Sequence, residues 1–300
     1  MCAPYLEKSS KLVNPFYFLS IFLTIDRVTS RAAESPTMAS KFNSIIQQII
    51  ANTPSGEIKD VYQDLKVITG GKANDAILDA IAQYNVENRI PIDVNGKSVV
   101  ISEYNKEGSK FFDPANSLLF SVDHLDRSGL DVENYEQTLD SKQKTIHGDL
   151  KDYTSNNFPG DVTFAVYPTK EENKTAIIIV SQKYNPGNFW NGRWKSEYIY
   201  DLDTNTLKGK ISVNVHYYED GNVSFKSDKE VNDENADDVV LAIKNLESSF
   251  EQELNVLFVQ LNEKKFRGLR RRLPVTRSKI NWGKAIGNYR LGKDAAQGKI

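Results

Sequence analysis

The sequence is poor in the residues that build redox, metal and cofactor sites. It contains one cysteine, Cys2, so no disulfide can form within the chain and no site with several cysteine ligands is possible. Its three histidines, His124, His147 and His216, lie far apart and lack the close spacing of metal-binding motifs. The sequence therefore predicts no metal site and no cofactor.

Catalytic motifs are also missing. The sequence has neither a G-x-S-x-G nucleophile turn nor an H-E-x-x-H metalloprotease motif. Gly96-Lys97-Ser98 resembles the end of a phosphate-binding loop, but Pro91 occupies the position of the required first glycine. We therefore predict that the protein is not an enzyme.

No apolar run in the sequence is long enough to cross a bilayer comfortably. The longest candidate, residues 12–25, is interrupted by Asn14 and Pro15 and is shorter than the ~20 residues that a membrane helix needs. It could form the core of a signal peptide. Alternatively, residues 1–37 are an extension that is either an artefact of the gene model or disordered, because Met38 would make a plausible start. A chain beginning at Met38 carries no targeting signal, which favours the cytoplasm.

Charge is distributed unevenly along the chain. The net charge is only -2, yet residues 264–300 hold twelve of the 38 basic residues and one of the 40 acidic ones. This C-terminal segment therefore carries a charge of +11 and the remaining chain carries -13. A basic end on an acidic body predicts an anionic partner, which could be nucleic acid, an anionic lipid or an acidic protein surface.

Residues 38–92 contain three short patterns of helical spacing and predict three helices packed as an antiparallel bundle. Pro54, the Gly70-Gly71 pair and Pro91 separate or end them. The predicted apolar faces are Phe42, Ile45, Ile46, Ile49 and Ile50; Ile58, Val61, Tyr62 and Leu65; and Ile77, Ala80, Ile81 and Tyr84.

The middle of the chain has the patterns of β-structure. Residues 93–160 predict a mixed region of strands and loops, with candidate strands at 99–104 and 117–122. Residues 161–230 contain five strand-like runs with short polar links, including the hairpin signal Asp220-Gly221, which predicts an antiparallel meander. The apolar run at 177–180 is typical of a strand that is covered on both faces.

A long helix is predicted to provide one of these covers. Apolar residues repeat every three or four positions from Val239 to Leu261, and residues 231–273 are interpreted as a long helix with a basic end. At about 1.5 Å per residue, ~30 helical residues would span about 45 Å. Pro274 then begins a short, basic, amphipathic tail over residues 274–300. The predicted fold class is therefore α+β.

Three stretches carry a specific resemblance to a known family. Residues 215–223 (VHYYEDGNV), 189–194 (FWNGRW) and 266–282 (FRGLRRRLPVTRSKINW) resemble the motifs of the F-actin capping protein alpha-subunit family, also called the CapZ alpha family. The resemblance covers residues 38 to about 293. Gly268 departs from the alanine or larger residue expected there, which could loosen the end of the long helix.

The resemblance implies an obligate heterodimer with a capping protein beta subunit, whose sheet would continue the sheet of this chain. It implies binding to the barbed ends of actin filaments without calcium, where the dimer blocks the addition and loss of subunits. It also implies a cytoplasmic location in the actin cytoskeleton, at cortical actin patches. Phosphatidylinositol bisphosphate is a further expected partner, and nucleic acid is not, because the acidic body would repel it.

The resemblance places actin binding on the basic segment and the tail. Arg267, Arg271 and Arg277 are the basic positions expected to matter most. For the basic residues, the alternative is a solvated helix end. For the tail, it is an apolar face packed on its own domain. The predicted actin-binding residues are Lys264, Lys265, Arg267, Arg270, Arg271, Arg272, Arg277, Lys279, Trp282, Ile286 and Tyr289.

Overall fold

The computed structural model describes residues 38–158, 160–219 and 223–261. The three predicted N-terminal helices are present as α1 (Met38–Ala51), α2 (Ile58–Ile68) and α3 (Asn74–Glu87). Their buried side chains belong to one hydrophobic core that also includes residues of the strands that follow, such as Ile92 and Phe120. The helices therefore share their core with a sheet.

That sheet contains six short strands. Its strand order is β2-β1-β6-β5-β4-β3, and β1 pairs with β6 in parallel although the other pairs are antiparallel. The sequence predicted strands in this region, at 99–104 and 117–122, but it did not predict their order in a sheet. The strands are β1 (Pro91–Val94), β2 (Lys97–Val100), β3 (Lys106–Glu107), β4 (Lys110–Asp113), β5 (Leu118–Asp123) and β6 (Ser128–Asn134).

A fourth helix, α4 (Ser141–Asn157), lies in the region that was expected to hold only strands and loops. It begins with a capping box in which Asp140 accepts a hydrogen bond from the backbone of Gln143 and the Gln143 side chain accepts one from the backbone of Asp140. The sequence pattern concealed this helix because its buried face includes the polar residues Gln143 and Thr154 beside Ile146 and Leu150.

The second sheet is the predicted antiparallel meander. Its order is β11-β10-β9-β8-β7, so each strand pairs with its neighbour in sequence. A 3-10 turn, Pro186–Asn188, joins β8 to β9, the second hairpin of this sheet. The strands are β7 (Asp161–Pro168), β8 (Lys174–Asn185), β9 (Trp190–Asp201), β10 (Thr206–Tyr217) and β11 (Val223–Asp233).

Strand β8 is covered on both faces, as its apolar run predicted. Ile177 and Ile179 pack in a core with residues of α4 and α5. Ile178 and Val180 pack on the opposite side with Val100 of β2. Strand β8 therefore lies between two helices on one face and the first sheet on the other.

The covering helix α5 spans Val239–Gln260. Asp238 caps its first turn by accepting a hydrogen bond from the backbone of Leu241. Its 22 residues span about 33 Å. Strand β11 continues to Asp233, so the helix begins later than residue 231. Whether it extends beyond Leu261 lies outside the described residues. Among the described helices, none is long and apolar enough to cross a membrane.

Candidate functional site

All of the predicted actin-binding residues lie outside the described part of the chain, which ends at Leu261. Their arrangement is therefore not among the structural findings. The undescribed positions are Lys264, Lys265, Arg267, Arg270, Arg271, Arg272, Arg277, Lys279, Trp282, Ile286 and Tyr289. What the structure does describe is the sheet and helix that lead into this segment.

Helix α5 crosses the second sheet toward its outermost strand. Glu247 lies over β9, where it binds Ser196 and Tyr198. Further along the helix, Glu253 forms an ion pair with Lys229 of β11. The C-terminal end of the described helix therefore lies over the edge of the sheet, and the basic segment begins shortly after it.

Strand β11 is an open edge within the described residues. It pairs with β10 over eleven positions, and no described strand pairs with its other side. Lys226, Asp228 and Glu230 alternate along its face away from α5 and are exposed. Long open edges can pair with a strand of another chain, and natural proteins therefore cover them or make them polar.

The last turns of α5 expose apolar side chains beside this edge. Val256, Leu257 and Val259 are 56%, 43% and 57% exposed. Phe258, between them, packs on Phe225 of β11. We call β11 together with Val256, Leu257 and Val259 the open edge. It combines unpaired backbone with apolar surface, the two features that a partner's sheet and helix would cover.

A second apolar surface lies on α1. Ile46 and Ile50 are buried, but Phe42, Ile45 and Ile49 are exposed and recur at helical spacing. Helix α1 is therefore apolar on the face that packs in its own core and also on an exposed face.

A buried carboxylate anchors α5 to the sheet. Glu247 is 4% exposed and accepts hydrogen bonds from the Tyr153 hydroxyl at 2.6 Å, the Tyr198 hydroxyl at 3.0 Å and the Ser196 hydroxyl. Burial raises the pKa of Glu247, although these hydrogen bonds act in the opposite direction. The apolar stripe of α5 gave no signal for Glu247, although Glu247 is buried on the same helix.

A second polar cluster connects the N-terminal helices to the sheet. Arg89 follows α3, is 6% exposed, and binds both carboxylate oxygens of Glu197 on β9, at 3.0 and 2.9 Å. Burial opposes the charge of Arg89, but its contacts with Glu197 raise its pKa. Burial, followed by the nearby charge of Glu197, raises the pKa of Tyr104 to about 12.

Arg89 also has a left-handed backbone, with φ of 54°. Glycine usually occupies this position at the end of a helix. The contacts of its side chain with Glu197, and not its backbone conformation, therefore explain why arginine occupies this position.

Two of the sequence motifs meet in the sheet. Asn191 of the 189–194 motif pairs in register with His216 of the 215–223 motif. His216 Nδ1 lies 2.7 Å from a carboxylate oxygen of Glu57, just before α2, and Arg193 donates a hydrogen bond to Asn88 at 2.6 Å. These motifs therefore join the sheet to the N-terminal helices. Residues 220–222 of the second motif lie outside the described residues.

The tryptophans of the 189–194 motif lie in packed surroundings. Trp194 is half-buried, with its ring centroid 5.7 Å from that of Phe250 on α5. Trp190 is also half-buried, and Lys183 lies over its ring. Over the described ranges, no group of three or more histidine, cysteine or acidic residues could hold a metal ion.

Comparisons with known proteins agree with the resemblance of the motifs. A family model described as F-actin capping protein alpha subunit matches residues 46–294. The F-actin-capping protein alpha subunit of Candida glabrata is 60% identical over 262 residues, which cover 87% of this chain and all of that protein. The Saccharomyces cerevisiae subunit is 60% identical over 266 residues, covering 87% of this chain and 99% of that protein.

A solved structure supports the fold. The homodimeric actin capping protein alpha subunit from Plasmodium berghei matches with a TM-score of 0.65 and 22% identity, covering 80% of this chain and 99% of that one. The relatives are capping proteins and not enzymes. Because the family model and both yeast relatives span most of the chain, this protein belongs to the F-actin capping protein alpha-subunit family.

Proposed function

We propose that this chain is the alpha subunit of a heterodimer that binds the barbed ends of actin filaments independently of calcium and blocks the gain and loss of actin subunits there. Membership of the family supports actin filament capping. The structural observation that supports a heterodimer is the open edge. There the sheet has an unpaired strand and its covering helix exposes apolar side chains.

The proposed partner at the open edge is a capping protein beta subunit. Its edge strand would pair with β11 and continue the second sheet, and its own helix would cover Val256 and Val259. The exposed face of α1 would pack in a bundle that α1–α3 form together with the partner's helices. Burial of exposed apolar surface favours such association by about 25 cal/mol per Å² removed from water.

The Plasmodium berghei alpha subunit is described as homodimeric. A second copy of this chain is therefore the competing occupant of the open edge. A heterodimer with a beta subunit and a homodimer of this chain differ in subunit composition, so a measurement of molecular mass separates them.

Actin binding is proposed to reside in the basic segment and the tail. Arg267, Arg271 and Arg277 would form ion pairs with acidic surfaces of the terminal actin subunits, since the planar guanidinium can hold a carboxylate through two hydrogen bonds. Trp282, Ile286 and Tyr289 would then dock an apolar face on actin. The same +11 segment would attract the headgroup of phosphatidylinositol bisphosphate. We place the heterodimer in the cytoplasm, at cortical actin patches.

Two measurements on one preparation test this function. The chain is co-expressed with a beta subunit, its stoichiometry is measured by light scattering after gel filtration, and pyrene-actin elongation is followed from filament seeds. We expect a one-to-one complex that stops barbed-end growth equally in calcium and in a calcium chelator. A soluble complex that leaves elongation unchanged would refute the capping proposal, and a stable homodimer would refute the beta-subunit proposal.

A further inference from the structure

Glu247 forms a polar contact at the centre of an otherwise apolar interface. It lies on α5 between Ile243 and Phe250, which are both buried in the core beneath the helix. Its hydrogen-bond donors come from two other elements, Tyr153 from α4 and Ser196 and Tyr198 from β9. The carboxylate therefore connects the three elements that meet there, α4, α5 and β9.

Stability alone does not account for this carboxylate. Among the described residues, no basic side chain forms an ion pair with Glu247, and burial disfavours its charge. Replacing a whole buried polar cluster by apolar residues of similar volume is often neutral or stabilising. Leucine at this position, with phenylalanine at Tyr153 and Tyr198 and alanine at Ser196, would make the contact apolar without that cost.

What the carboxylate adds is a fixed position. The apolar side chains of α5 recur every three or four residues, so a shift by one helical turn, about 5.4 Å, would bring similar side chains against the sheet. The three hydroxyls can be satisfied together in one arrangement only. Buried polar groups select a single register in the same way in coiled coils.

We propose that Glu247 is a positioning residue that fixes the register of α5 on the sheet and thereby sets where the C-terminal actin-binding segment begins. The consequence for capping rests on the proposed function, whereas the register itself does not. The end of α5 lies over β11, so a shift of the helix would move the segment that follows relative to the open edge.

The register can be measured without actin. Nitroxide labels are placed at the exposed positions Gln252→Cys on α5 and Asp149→Cys on α4, in a Cys2→Ser background and with a beta subunit free of cysteines. Electron–electron double resonance then gives the distance between the labels in the complex. We expect one narrow distribution in the parent protein, and a shift of several Å or a second population of about 5 Å displacement in Glu247→Leu.

Two further variants make the result decisive. Ile243→Leu changes the volume of a neighbouring buried side chain only slightly and should leave the distribution unchanged. Tyr153→Phe/Tyr198→Phe removes two donors without altering α5 and should reproduce the shift, which covers the case that Glu247→Leu fails to fold. An unchanged distribution in the tyrosine pair and in any folded Glu247→Leu would overturn the proposal.

The rate of dissociation from barbed ends and the melting temperature then separate a positioning role of Glu247 from a purely stabilising one. We expect Glu247→Leu/Tyr153→Phe/Tyr198→Phe, which leaves no tyrosine hydroxyl of this cluster without an acceptor, to keep or raise the melting temperature of the complex, yet to dissociate from barbed ends about tenfold faster or more. Normal capping by a complex with a shifted register would overturn the link to function. If the parent complex itself does not cap, the proposed function fails, and the label distances still decide the role of Glu247.

Discussion

The ring centroids of Phe225 on β11 and Phe258 on α5 lie 4.7 Å apart. This contact joins the outermost strand of the sheet to the last turns of its covering helix. A partner that pairs with β11 must therefore also meet the end of α5. The exposed apolar residues of that helix should report on assembly with the partner.

The double variant Val256→Asp/Val259→Asp should prevent assembly with a beta subunit. Both side chains are more than half exposed in this chain, so charging them leaves its own core intact, whereas a covered interface would have to bury two carboxylates. Co-purification through a tag on the beta subunit measures the effect. Leu130→Asp, at a residue that is 48% exposed on β6, serves as the control and should assemble normally. Equal recovery of both variants would contradict the proposed interface.

Gly209→Ala should destabilise the complex by about 3 kcal/mol. A Cβ atom at this position would lie 2.4 Å from the backbone oxygen of Glu197 and from the Tyr198 ring, so backbone and core must shift. Gly148→Ala is the matched change in an open position: apart from the chain neighbours and the helix's own backbone, no atom lies within 4 Å of an added Cβ, and α4 should gain about 1 kcal/mol. Denaturant unfolding measures both. A loss below about 1 kcal/mol for Gly209→Ala would show that β9 and β10 are packed more loosely than described.

Arg89→Ala and Arg89→Gly should differ although both remove the same side chain. Each leaves Glu197 without its buried partner, which typically costs about 3–5 kcal/mol. Alanine additionally retains the strain of the left-handed backbone, so it should be less stable than glycine by about 1 kcal/mol. Unfolding midpoints of the two variants test this. Equal stability would mean that the backbone relaxes once the guanidinium is absent.

The stability of the protein should depend on pH through Glu247. Its pKa in the folded state is raised above the ordinary value of 4.5. Below pH 4.5 the carboxyl is protonated in the folded and in the unfolded protein, and its contribution to stability is then at its most favourable. As pH rises above 4.5 the unfolded chain ionises first, and the protein should lose about 1.4 kcal/mol per pH unit relative to Glu247→Gln until the folded-state pKa is reached. The facing tyrosines, Tyr153 and Tyr198, have raised pKa values and stay neutral in this range.

Unfolding of the parent protein and Glu247→Gln between pH 4 and pH 8 measures this dependence. The exposed Glu234→Gln variant accounts for the general effect of one charge. A stability difference that stays flat or grows in favour of the parent protein with rising pH would contradict the expected sign.

The elements that the sequence predicted correctly are those marked by a pattern of neighbouring residues. The β7–β11 meander follows alternation and short links, and the β10–β11 hairpin pairs across the Asp220-Gly221 signal, with Tyr217 opposite Val223. The stripe of α5 predicted a helix and the buried run of β8 predicted two covers. These signals lie within a few residues of one another, so the sequence displays them directly.

Non-local contacts account for what the sequence did not reveal. Helix α4 buries Gln143 because its amide donates to Thr175, 32 residues away. Glu247 depends on hydroxyls 94, 51 and 49 residues away. The parallel pairing of β1 with β6 likewise joins strands that are distant in the chain. No local period encodes such partners.

The variant Arg267→Ala/Arg271→Ala/Arg277→Ala, in complex with a beta subunit, tests whether the basic segment binds the barbed end. Elongation from filament seeds is measured at low and high salt, alongside the melting curve. Each charge-assisted contact contributes about 1.5–3 kcal/mol, so we expect capping weakened by several powers of ten at low salt, a smaller difference at high salt and an unchanged melting curve. A variant that melts and caps like the parent complex would show that the basic segment does not bind the barbed end.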